Sequence, residues 1–87
     1  MGNDPKTIVE TALQKFKELL PDAQKISFEE IDMNSQLGYP EGTIVVTFSY
    51  TDPSRLAGLN ELFQRRSKSV FINGVSGELV SIKNKII

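Results

Sequence analysis

Residues 43–50, TIVVTFSY, constrain the fold more than any other stretch of this chain. Ile44, Val46, Phe48 and Tyr50 alternate with Thr43, Val45, Thr47 and Ser49, a period of two in residue types that suit a pleated surface. The pattern predicts a central strand with one apolar core face. Its hydroxyl-bearing other face is expected to meet water or a thin cover. Such a strand is about 26 Å long at roughly 3.3 Å per residue. The strongest helical pattern, residues 5–20, would extend about 24 Å at roughly 1.5 Å per residue. One helix can therefore lie across this strand and its neighbours.

That helix starts at Asp4-Pro5, a cap carboxylate followed by proline at the first helical position. Ile8, Val9, Ala12, Leu13, Phe16, Leu19 and Leu20 then recur at helical spacing, with mixed charges on the other side. Pro21 ends it. Residues 1–4 are expected to form a loose tail. The stripe reads as a core face, and its mixed charges do not suit a basic membrane-binding helix.

Three further strands follow from the pattern. In residues 25–33, Ile26 and Phe28 share one parity and Ile31 and Met33 the other, which a bulge near Glu29-Glu30 would reconcile. Glu29, Glu30 and Asp32 read as solvated edge charges that discourage aggregation between sheets. Residues 63–72 place Val70 and Ile72 on one face, with Arg66 and Lys68 continuing that parity and Phe71 opposite. After the Asn73–Gly77 turn, residues 78–86 place Val80 and Ile82 on one face and Leu79, Ser81 and Lys83 on the other. The expectation is a single α+β domain over residues 1–87, one N-terminal helix on a four-stranded antiparallel sheet in the order α-β-β-β-β.

Two connections are long enough to carry contacts. Residues 34–42, NSQLGYPEG, form an arm in which Tyr39 either meets a partner or folds back onto the sheet. In residues 52–62, Asp52-Pro53-Ser54 repeats the cap-plus-proline signal. Residues 54–62 form either one or two helical turns or a disordered loop, and Leu56 and Leu59 can instead remain exposed as a binding or dimer patch.

Composition removes several functions. The chain has no cysteine and no histidine, so disulfides, thiolate zinc sites and the commonest general base are absent. None of the serines lies in a nucleophile motif. No catalytic, metal or cofactor-binding residues are expected, and the chain reads as a non-enzyme. No run approaches the roughly 20 apolar residues of a membrane span, and the start MGNDPKT lacks the features of a signal peptide. As written the chain reads as cytoplasmic, with an exported mature form as the alternative.

Net charge is −1, but nine acids and four bases precede residue 53 while two acids and six bases follow. Arg65, Arg66 and Lys68, flanked by Phe63 and Phe71, are the one candidate polyanion contact. A pI near 5.3 argues against a dedicated nucleic-acid binder. Gly74-Val75-Ser76-Gly77 fits G-x-x-G, but it lies between strands rather than between the helices of a KH domain.

The final segment, KSVFINGVSGELVSIK, resembles the closing hairpin of small bacterial PepSY-like domains, through Phe71, Asn73, Gly77, Glu78, Leu79 and Val80. The element order is similar to that of cystatin-like domains. The PepSY-like resemblance implies a role in modulating peptidases. The Gln-x-Val-x-Gly hairpin with which cystatins inhibit proteases is absent, so none of its roles passes to a residue here. Together these readings predict a non-catalytic module that binds a protein or peptide and self-associates as a homodimer. Tyr39, Leu56 and Leu59 are its candidate contacts, and weak polyanion binding is the alternative.

Overall fold

The computed structural model describes residues 4–34, 36–51 and 66–84. Helix α1 (Pro5–Leu19) is followed by strands β1 (Gln24–Asp32), β2 (Thr43–Thr51), β3 (Arg66–Asn73) and β4 (Leu79–Asn84). The four strands form one antiparallel sheet in the order β1-β2-β3-β4, the α-β-β-β-β arrangement that the patterning predicts. The expected helical turns at 54–62, with Leu56 and Leu59, and the expected basic residue Arg65 lie outside the described residues.

Proline sets the start of α1. Asp4 occupies the N-cap in an extended conformation, but its carboxylate does not cap a backbone N–H; it accepts the Thr7 hydroxyl at 3.3 Å. Ile8 donates its N–H to the Asp4 carbonyl at 3.0 Å. Pro5, with its fixed φ, therefore contributes more to initiation than the expected carboxylate cap. The helix stops at Leu19, because Leu20 leaves helical geometry immediately before Pro21.

Ile8, Ala12 and Phe16, four residues apart, form the buried line of α1. They face Ile44, Val46, Phe48 and Tyr50 of β2 and Val70 and Ile72 of β3. Phe16 has no solvent exposure and meets both Phe48 and Tyr50, with ring centroids 5.3 and 5.2 Å away. Leu19, expected on the core stripe, is about half exposed at the helix end.

The bulge expected in β1 lies where the alternation slips. Phe28 pairs with Phe48 and Glu30 with Thr47, which leaves Glu29 as the extra residue and returns Ile31 opposite Val46. A second irregularity lies between Gln24 and Ser27, where Lys25 adopts a φ of 52°. By contrast, β2 and β3 pair without interruption from Thr43–Asn73 to Tyr50–Arg66.

β2 is buried on both faces, more than its hydroxyls suggest. Thr43, Thr47 and Ser49 are buried, and each finds a partner. Thr43 Oγ1 donates to the Pro40 carbonyl at 2.6 Å, and Ser49 Oγ donates to Glu29 Oε2 at 2.5 Å. Thr47 and Ser69 share a hydroxyl pair at 3.2 Å. Among the described residues no buried side-chain nitrogen or oxygen is left without a hydrogen bond, as the cost of burying a bare polar group demands.

Candidate functional site

The two edges of the open sheet differ. The outer edge of β1 carries Glu29, Glu30 and Asp32, and is broken by two one-residue insertions within nine residues. Bulges and charges of this kind prevent an edge from templating another strand. The outer edge of β4 is smoother. Ser81 to Asn84 keep one register with β3, opposite Phe71 to Lys68, and the single irregularity comes at the start, where Ile72 pairs with Leu79. No described strand covers the far side of β4.

That irregularity corrects a sequence expectation. Uniform alternation assigns Leu79 to the face of Ser81 and Lys83, yet Leu79 stands opposite core residue Ile72, and Val80 is the inserted residue. Both Leu79 and Val80 are exposed, whereas Ile82 packs against the core. The edge thus presents two apolar side chains next to a run of regular backbone.

The connection at 34–42 folds back against the same half of the sheet. Tyr39 stacks on Phe71, with centroids 4.4 Å apart and planes 22° from parallel, and Lys83 Nζ lies 5.2 Å from the Tyr39 centroid. Of the two roles open to Tyr39, folding back is the one its ring adopts here, with part of its surface still exposed. Leu37, near the tip of the connection, is fully exposed.

Local hydrogen bonds shape this connection. Asn34 N–H donates to Asp32 Oδ1 at 2.9 Å, and Gln36 Nε2 donates to the Asn34 carbonyl at 2.8 Å. The Asn34 backbone donor, with help from Gln36 and the Asn34 side chain, holds the Asp32 carboxyl below its ordinary value. Gly42 takes a φ of 88° in the turn where Thr43 N–H meets the Pro40 carbonyl at 3.1 Å, a conformation that favours glycine.

The basic strand and its aromatic neighbour part company. Arg66 and Lys68 pair with Tyr50 and Phe48 and so share the helix-side face. Lys68 Nζ is hydrogen-bonded to Asn84 Oδ1 across the β3–β4 pair. Phe71 belongs to the opposite face, stacked beneath Tyr39. The cation that accompanies these rings is Lys83, which the reading of the basic cluster passed over. Its parity with Phe71 and Ser81 was the available signal.

Chemistry finds little to work with elsewhere. Among the described residues no three acidic, histidine or cysteine side chains converge to hold a metal. Between α1 and the β3–β4 turn, a crevice lined by Thr7, Ile8, Thr11 and Gly74 has a volume of about 10 Å³, room for one water, and an open depression beside it, lined by Glu10, Gln14, Lys15 and Ser76, has about 520 Å³ but faces solvent. No described helix is long and apolar enough to cross a membrane. No family model, curated protein or solved structure matches this chain.

Proposed function

We propose that this chain is a non-catalytic interaction module that takes an extended segment of a protein or peptide onto the outer edge of β4. The observation that carries this reading is the contrast between the edges: β1 is interrupted and acidic, whereas β4 offers regular backbone beside exposed Leu79 and Val80. In strand addition, main-chain hydrogen bonds supply affinity while side chains at alternate positions supply selectivity. Tyr39, Phe71 and Lys83 lie beside this edge and give an incoming segment aromatic and cationic contacts. The PepSY-like resemblance of the closing hairpin supports peptidases as a partner class, and a homodimer would use the same edge, which no described strand covers.

Selection of binders from a random peptide library, followed by amide chemical-shift mapping, tests this. Bound peptides are expected to shift the amides of Leu79–Asn84 and to lose affinity for Val80→Asp, an exposed position whose change leaves the core intact. Binders that shift only amides away from β4, or that ignore Val80→Asp, would refute the reading.

A further inference from the structure

Asn-Gly is the dipeptide in which a backbone nitrogen most readily attacks the preceding side-chain amide, because glycine offers no β-carbon to hinder the approach. Asn73-Gly74 is such a pair. Here, however, both reacting groups are held. Gly74 N–H donates to the Gly42 carbonyl at 3.0 Å. Asn73 Oδ1 accepts the N–H groups of Val75 and Ser76 at 2.8 and 2.9 Å. The Asn73 backbone is pinned on both sides, its N–H to the Glu78 carbonyl at 2.9 Å and its carbonyl to the Gly77 N–H at 2.8 Å. Ile44 lies over Gly74 closely enough that a β-carbon there would meet its Cγ1 at 3.2 Å and run into Cδ1.

We infer that Asn73 is a latent deamidation site, locked by the docking of the Pro40–Gly42 turn onto Gly74. The reaction needs the Gly74 nitrogen to lose its proton and bond to Asn73 Cγ, closing a five-membered succinimide as ammonia leaves. Water then opens either ring carbonyl, yielding aspartate or isoaspartate at position 73. In the closed state the Gly74 N–H donates to the Gly42 carbonyl, and the Asn73 side-chain carbonyl accepts from the turn. Ring closure would have to rotate a backbone fixed at both ends. Modification therefore proceeds only through opening of this corner, and its rate reports how often the two connections separate. The two products differ in consequence. Aspartate keeps an oxygen where Val75 and Ser76 need an acceptor, whereas isoaspartate lengthens the backbone and breaks the register into β4.

Incubation of the full chain at mildly alkaline pH, folded or in concentrated urea, tests the lock. Peptide mapping by mass spectrometry then measures conversion at Asn73. Folded protein is expected to convert more slowly than unfolded by about tenfold or more. Gly42→Ala, strained at its positive φ, should speed the folded reaction and leave the unfolded rate unchanged. Val70→Ala, which weakens the core away from the corner, serves as a control matched in thermal stability. Equal folded and unfolded rates would overturn the lock. Equal acceleration by Gly42→Ala and Val70→Ala would also overturn it, since protection would then belong to the whole fold.

Discussion

Tyr39 and Phe71 lie ring against ring, with centroids 4.4 Å apart, although one belongs to the β1–β2 connection and the other to β3. The stack fastens the connection to the sheet face away from α1. Such pairs contribute about 0.5–1.5 kcal/mol beyond the area they bury. Tyr39→Ala and Phe71→Ala should each destabilise the fold, and a double-mutant cycle in urea should recover a coupling of about that size. Tyr39→Phe should be nearly silent. A coupling near zero would mean that the rings do not hold the connection.

Gly74 is required for space. Its φ is not among the positive ones, so the Asn-Gly signal points to the right turn for an incomplete reason. Gly74→Ala should cost about 1–3 kcal/mol through overpacking against Ile44. Ile44→Val removes the Cδ1 atom that collides and should alone cost about 0.5–1.5 kcal/mol. The double variant should be more stable in urea than the sum of the single changes allows, because the valine gives back the room the alanine needs.

Phe16 joins the helix to both aromatic residues of β2. Phe16→Ala should cost about 3–5 kcal/mol, most of the stability of a domain this small. Far-UV circular dichroism should show the chain largely unfolded at 37 °C, whereas Phe16→Leu should remain folded with a lowered melting temperature.

Asp32 links stability to pH. Its carboxyl is held below the ordinary value of 3.8, first by the Asn34 backbone N–H. A carboxyl lowered in the folded state stabilises the fold above its unfolded pKa and ceases to do so as pH falls through the folded one. Asp32→Ala should therefore lower the melting temperature slightly at neutral pH, and the difference from the parent should vanish in strong acid. Melting curves from neutral pH to below 3.8 check this; a gap that persists in acid would trace the effect to something other than the carboxylate.

Leu56 and Leu59 lie outside the described residues, so their role rests on the sequence pattern. Leu56→Ser with Leu59→Ser should leave circular dichroism unchanged and weaken self-association or partner binding, measured by light scattering and titration. Unchanged mass and unchanged binding would remove this pair from the interaction surface.

Elements governed by local alternation were legible in the sequence. β2 revealed its core face residue by residue, and the slipped parity between Phe28 and Ile31 announced the bulge at which Glu29 is the extra residue of the ladder. The insertion at Val80 gave no such sign, because Leu79, Val80 and Ile82 are apolar on either reading. What remained hidden is tertiary. Packing of Ile44 on Gly74, and the approach of Lys83 to Tyr39, join residues with no local relation. Parity places Lys68 and Phe71 on opposite faces of β3, and the structure keeps them there.

The uninterrupted pairing of β2 with β3 also sets how the molecule should exchange its amide protons with solvent. Both outer strand pairs contain inserted residues, where the ladder is weakest and opening begins. Exchange should spread inward from β1 and β4, each loosening at its own rate. It should become all-or-none once it reaches the central pair, since two strands alone are marginal in water. The amides slowest to exchange should therefore be those of Val46, Phe48 and Val70, and their rate should give the stability of the whole fold.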